Sequence, residues 1–369
     1  MPSIINSDNG AVSGSAGLKI ISADDGVLNI QNNGNTAITV GNTGQATFAT
    51  PVSQPGGFTL RNKIINGGMA IDQRNGGASQ TITAAAALAY TIDRWYAYCT
   101  GANVTGQRIA GSGDTEYRYR FTGAASVTKI GFAQRIEATN SYDLNGSTAT
   151  LSVDLANSLL TTVTWTAWYA NTADTFGTLA SPTKTQITTG TFTVNSTVTR
   201  YSTQISIPSA ATTGIEIEFS VGAQTSGTWI IGNVQLERGS AATPFEQRPV
   251  GMELSLCQRY YEQVGGSTAA SFGVGYNWAT TGNYAIYYYK VTKRVLPTLN
   301  TTGTAADYQV LHGATATNLS AVPVISTANS TTQHAFLEGT VASGLTAGQG
   351  SILRASGSAS TYIGFNSEL

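Results

Sequence analysis

Charge is scarce in this sequence. Lys, Arg, Asp and Glu together make up 11% of its 369 residues, against about 25% in an average soluble domain. Membrane proteins are charge-poor too, but the mean hydropathy is only −0.04. No run approaches the ~20 consecutive apolar residues that a membrane helix needs. The formal net charge of −1 excludes the clustered basic face of a nucleic-acid binder and the polybasic patch of a membrane-surface protein. Histidine occurs only as His312 and His334, so the paired-histidine spacings of metal sites are missing and no metal or other cofactor is expected. The two cysteines, Cys99 and Cys257, lie far apart without a CxxC spacing. That predicts two independent small core residues rather than a disulfide framework or a zinc site. The N-terminus has neither the basic nor the apolar region of a secretory signal, so synthesis in the cytoplasm is expected.

Thr, Ser, Gly, Asn and Ala stand where the charges are missing, and these residues suit strands and tight turns. An all-β fold follows, in three regions. Residues 1–57 form an N-terminal β-stem. Short apolar pieces (Leu18–Ile21, Leu28–Gln31, Ala37–Val40) alternate there with Asn-Gly and Asp-Gly turns, and no aromatic residue precedes Phe48. So little apolar surface cannot enclose a core alone; either the segment is disordered or identical copies wrap around one another and share a core, and the regular alternation favours the second. Pro51–Gly57 reads as a linker.

Residues 58–248 hold the clearest period-two patterns. Ile215, Ile217, Phe219 and Val221 alternate with Glu216, Glu218 and Ser220; Val163, Trp165, Ala167 and Tyr169 alternate with Thr164, Thr166 and Trp168. One buried and one wet face per strand predicts a two-sheet sandwich of jelly-roll type. Residues 249–369 open with a helical candidate, Met252–Tyr261, stopped by Gly265-Gly266, which places one short helix at a domain junction. They then return to β patterning as a small C-terminal sandwich. Tyr284–Tyr289 reads as a dense aromatic strand continued by Val291–Leu299, with later strands around His312, His334, Phe336, Leu353, Tyr362 and Phe365.

Catalytic chemistry finds little footing. No nucleophile elbow, phosphate-binding loop or dinucleotide fingerprint is present. Glu216 and Glu218 share one strand face at roughly 6–7 Å, a separation compatible with a glycosidase pair. Their simpler role is the wet face of an outer strand. The aromatics are the better clue, because sugar rings stack apolar faces on Trp and Tyr while short polar groups take their hydroxyls. Trp168 points away from Trp165, so one of the two leaves the core. Tyr276, Trp278, Tyr284, Tyr287, Tyr288 and Tyr289 crowd one stretch whose alternate members must face opposite ways. Trp168, Tyr276, Trp278, Tyr287 and Tyr289 are therefore the carbohydrate-binding candidates. The alternative is that Tyr hydroxyls sit at a core rim, or that a neighbouring subunit covers both faces.

Two sets of residues carry a family resemblance. The first is Leu60–Arg74 (LRNKIINGGMAIDQR) followed by Tyr90–Tyr96 (YTIDRWY). The second is Val234–Gly239 (VQLERG) leading into Ala242–Pro249 (ATPFEQRP) and Leu256–Tyr261 (LCQRYY). Together they resemble the fibre-like receptor-binding proteins of tailed bacteriophages, in which an opening N-x-x-I-N-G-x-M strand and a closing Q-L-E-x-G-x-x-A-T-P-F-E strand bracket a carbohydrate-binding-module-like jelly roll. The Gly-Leu-Lys-Ile to Ala-Ile-Thr-Val run is similar to virion-attachment stems. The resemblance implies a homotrimer in the virion, joined to other virion proteins by its N-terminus and adsorbing to host polysaccharide or lipopolysaccharide through distal β domains, without catalysis, nucleic acid or membrane insertion. The alternatives are a tailspike-type depolymerase and a head or collar decoration without a receptor. The shared motifs imply architecture rather than individual binding residues.

Overall fold

The computed structural model describes residues 28–32, 35–40, 46–48, 60–85, 88–113 and 115–369. The chain divides into two compact units, Met1–Gly57 and Phe58–Leu369. In the first, β1 (Leu28–Asn32), β2 (Asn35–Val40) and β3 (Ala46–Phe48) form one antiparallel sheet in that order. Leu28 faces Val40, and Val40 faces Ala46. The strand expected at Leu18–Ile21 and the linker at Pro51–Gly57 lie outside the described residues.

The second unit begins with twelve strands: β4 (Gln80–Ile82), β5 (Ala89–Tyr90), β6 (Tyr96–Thr100), β7 (Val104–Ala110), β8 (Tyr117–Thr122), β9 (Lys129–Ile136), β10 (Thr148–Asn157), β11 (Thr162–Ala170), β12 (Lys184–Thr193), β13 (Thr199–Ser206), β14 (Ile215–Val221) and β15 (Thr228–Arg238). They make two six-stranded sheets, β13-β10-β15-β8-β7-β4 and β12-β11-β14-β9-β6-β5. Because side chains alternate across a strand, Ile215, Ile217, Phe219 and Val221 all turn inward with Val163, Trp165 and Ala167. Between the sheets Trp95 stacks on Phe132 with centroids 4.7 Å apart, and Phe121 stacks on Trp229 at 5.1 Å. Each such pair contributes about 0.5–1.5 kcal/mol beyond the area it buries.

The two bracketing motifs hold each other. The Lys63 amide donates to the Leu236 carbonyl at 2.8 Å, and the Val234 amide to the Gly67 carbonyl at 3.0 Å. A Cβ on Gly67 would stand 2.1 Å from the Val234 carbonyl oxygen, so only glycine permits this approach. The Glu246 carboxylate accepts the Arg61 and Asn62 amides. These residues close the sandwich on itself.

A short α1 (Ala138–Ser141) follows β9, and α2 (Val250–Gln258) follows the sandwich. The helical segment thus starts and ends earlier than its apolar spacing predicts. Its buried residues are Glu253 and Cys257, with Tyr260 buried just beyond its end as the spacing predicts, whereas Met252, Leu254 and Leu256 of the same expected face are only partly buried. Glu253 can be buried because it accepts the Asn66 amide and faces Arg248 at 3.4 Å. Tyr261 already belongs to the next strand, and Gly265 ends that strand instead of the helix.

The remaining strands are β16 (Tyr261–Gly265), β17 (Ser271–Asn277), β18 (Gly282–Tyr288), β19 (Thr298–Thr301), β20 (Tyr308–His312), β21 (Thr315–Asn318), β22 (Val324–Ile325), β23 (His334–Thr340), β24 (Gly350–Ala355) and β25 (Tyr362–Asn366). A three-stranded sheet, β16-β25-β19, packs on a seven-stranded sheet, β21-β20-β24-β17-β18-β23-β22. The strand expected over Val291–Leu299 is absent except for its end in β19. Lys293 turns inward there to meet Glu262 at 2.7 Å, and this ion pair is fully buried.

The division expected at residue 248 falls inside the second unit, where a polar junction ties the sandwich to the later sheets. The Arg94 guanidinium lies 3.4 Å over the Tyr260 ring and pairs with Glu368, while Arg74 lies 3.6 Å over Tyr261. Gln73 donates to both Asp93 and the Tyr261 carbonyl. Burial pushes the Asp93 carboxyl up to about 6, against the opposing pull of Arg74 and of the Gln73 hydrogen bonds.

Candidate functional site

Two outward sheet faces carry the residues singled out from the sequence, and they differ in kind. On the sandwich, the outer face of β14 presents Glu216 and Glu218, flanked by β9 and β11. Neither is wet, contrary to the simplest reading of the alternation. Glu216 is wholly buried, held by Arg135 at 2.9 Å and by Lys184. Glu218 accepts the Tyr98 hydroxyl, meets Lys129 at 3.2 Å and faces Lys184 at 3.8 Å. Both carboxylates are thus engaged by cations in a closed network, and neither is free to act as acid or nucleophile. Trp168 lies beside this network, and the Lys184 ammonium sits 4.6 Å from its ring centroid. That cation occupies a ring face that a sugar would need, which makes Trp168 part of the seal.

The seven-stranded sheet is open by contrast. On its outer face Tyr276 of β17 stands directly opposite Tyr284 of β18, and Tyr284 directly opposite Glu338 of β23. Trp278 follows β17 in the hairpin to β18, with its indole lying flat across Gly282. A Cβ at Gly282 would come within 2.3–2.6 Å of the indole ring atoms, so the missing side chain is what allows this pose. Trp278 and Tyr284 are tilted by only 23° with centroids 5.6 Å apart, and Tyr276 meets Tyr284 edge-on at 5.9 Å. Trp278 is 52% exposed and Tyr276 48%. The result is an aromatic platform in which the Trp278 and Tyr284 rings run nearly parallel and Tyr276 stands edge-on beside them, so that an exposed ring face can take the C–H face of a pyranose.

An apolar row lies next to it on the same face: Leu311, Ile352, Val274, Ile286 and Phe336, paired in that order across five strands. Beneath the platform, the Asn277 side chain is buried with neither amide atom hydrogen-bonded.

Of the five candidates, the structure brings Tyr276 and Trp278 together and separates the other three. Tyr287 and Tyr289 have the opposite parity to Tyr284 and face the core. Tyr287 stacks on Phe365 at 5.0 Å and donates its hydroxyl to Glu262 at 2.6 Å; Tyr289 packs edge-on against Phe365 at 5.1 Å beneath Lys293. These contacts close both rings to a ligand, and burial raises both phenols. Tyr284, Gly282 and Glu338 were missed. Alternation groups Tyr284 with Tyr288 against Tyr287 and Tyr289, but does not say which group faces inward. Among the described residues no group of three or more His, Cys, Asp or Glu side chains is placed to hold a metal ion.

No protein-family model matches the chain, and no curated protein matches it. Solved structures with some likeness include TmCBM61 in complex with beta-1,4-galactotriose, 12% identical over 48% of this chain and 99% of that one, with a TM-score of 0.31. The enzymatically active domain of bacteriophage CBA120 tailspike protein 4 is 18% identical over 40% of this chain and 19% of its own, with a TM-score of 0.29. The family 11 carbohydrate-binding module from Clostridium thermocellum is 11% identical over 46% of this chain and 100% of its own, with a TM-score of 0.28. At such TM-scores these likenesses carry no argument about this chain.

Proposed function

We propose that this chain is a non-catalytic adsorption protein that holds a bacterial surface glycan on the Tyr276–Trp278–Tyr284 platform. The observation that carries the reading is the platform itself: three aromatic rings assembled on an outward sheet face, one of them laid flat by a glycine beneath it. A large indole left half exposed there costs solubility unless a partner uses it. The sealed state of Glu216 and Glu218 favours binding over cleavage. The bracketing motifs, with their resemblance to phage fibres, support a virion fibre attached through its N-terminal segment. Scarcity of apolar residues in 1–57 supports assembly as a homotrimer, for which light scattering should return about three times 38.4 kDa.

The test is adsorption of labelled protein to host cells and to their purified surface polysaccharide. Saturable binding is expected for the wild type, no new reducing ends on incubation, and a loss of about tenfold or more in Trp278→Ala. A head or collar decoration would show no saturable adsorption, and full retention by Trp278→Ala would move the site off the platform.

A further inference from the structure

The platform has a charge at its border that the rest of the fold leaves alone. Glu338 stands directly opposite Tyr284, on the side away from Tyr276. Directly opposite residues of an antiparallel pair hold their Cβ atoms about 4.5–5.5 Å apart, so this carboxylate reaches the rim of the Tyr284 ring. It is partly exposed and makes no ion pair or hydrogen bond among the described residues. Several other glutamates of the second unit behave differently. Glu216, Glu218, Glu262 and Glu368 are each matched by a nearby cation.

The basic side chains of the C-terminal sheets lie elsewhere. Lys293 is spent on Glu262, and Arg294 on the Ser367 and Glu368 carbonyls. Arg354 sits on β24, which β17 and β18 separate from β23. Lys290 follows the far end of β18, six residues beyond Tyr284 and on the order of 20 Å away along a strand. An unmatched carboxylate next to outward π faces, whose quadrupoles are also negative, makes a site that attracts a cation and repels an anion.

We propose that Glu338 sets the specificity of this platform, selecting a glycan that carries a protonated amine, an amino sugar, over neutral and acidic sugars. The ammonium sits between the carboxylate and the Tyr284 face while the pyranose stacks on Trp278. The inference rests on the reading of the platform as a glycan site. An exposed ion pair and an exposed cation–π contact together correspond to about a fivefold preference. Added salt should shrink that preference, because it screens exposed charge pairs.

The experiment is calorimetric titration of the full chain with β-1,4-linked tetramers of glucosamine, glucose and glucuronic acid. A pH of about 5.5 keeps the glucosamine amine protonated. The wild type is expected to bind the glucosamine tetramer about fivefold tighter than the glucose tetramer, and the glucuronic acid tetramer weakest. Glu338→Gln should bring the three within about twofold of one another, chiefly by weakening the binding of the glucosamine tetramer. The variant is near-isosteric at a partly exposed position with no ion-pair or hydrogen-bond partner to lose among the described residues, so it folds as the wild type does. An unchanged ranking in Glu338→Gln would overturn the assignment of Glu338 and leave the platform standing. No binding of any tetramer by the wild type, or full binding by Trp278→Ala, would overturn the platform and the amino-sugar reading together.

Discussion

The outer face of the sandwich sheet around β14 and that of the seven-stranded sheet start from the same pattern and reach opposite ends. Both belong to antiparallel strands whose alternate residues turn away from a core, and both carry aromatic rings beside glutamates. On the sandwich, Lys129, Arg135 and Lys184 arrive from nearby strands and pair with Glu216 and Glu218, and Lys184 also lies over Trp168. On the seven-stranded sheet no cation pairs with Glu338 among the described residues, and Trp278 lies open over Gly282. Alternation decides which side chains leave the core; the supply of counter-charges from distant segments decides whether the face they form is sealed or available.

The sharpest way to break this contrast is to unseal the first face. Glu216→Ala strands Arg135 without a carboxylate and leaves Lys184 only the longer contact to Glu218, and should cost about 3–5 kcal/mol, read by denaturant unfolding. Glycan binding per folded molecule should be unchanged. Next comes the junction behind that face. Asp93 is raised from 3.8 to about 6, so the fold favours its protonated form. Its share of stability is lowest above pH 6 and rises as the pH falls from 6 toward 3.8, by roughly 3 kcal/mol at most. Unfolding free energies at pH 7 and 5.5 should therefore show a smaller pH slope in Asp93→Asn, the difference from wild type carrying this sign, while adsorption of a neutral glycan stays flat over the same interval. On the open face, Gly282→Val drives a side chain into the Trp278 indole, and adsorption to host polysaccharide should fall about tenfold. Smallest of all, Tyr288→Ala removes a ring that is 71% exposed and off the platform. Thermal unfolding should register less than about 0.5 kcal/mol.

Much of the fold was legible in the sequence. A period of two is visible wherever one face is buried, and Ile215–Val221 and Val163–Tyr169 are strands with the inward residues expected. The stretch around Pro249 announced the only helix longer than one turn among the described residues, although the buried stripe there runs through Glu253 instead of Leu254. What parity cannot supply is the identity of the covered face. The sequence reading preferred Tyr287 and Tyr289 to Tyr284, and the choice is made by Phe365 and Glu262, which lie 25 or more residues away in sequence. Val291–Leu299 is apolar enough for a strand, yet Lys293 is drawn inward by Glu262 and the chain leaves β geometry. Glu338 had no sequence signal at all, since its role follows from strand register.

The most direct test of the central claim uses the protein's own fluorescence. Of its five tryptophans, Trp95, Trp165 and Trp229 are buried and Trp168 is partly covered by Lys184, whereas Trp278 is open to solvent. Acrylamide quenching of the wild type therefore reports mainly on Trp278. Saturating host glycan should shield this emission, and the effect should vanish in Trp278→Phe while binding persists on the substituted ring. Quenching that is unchanged by a glycan the protein demonstrably binds would contradict the account, because the sugar would then lie somewhere other than on this indole.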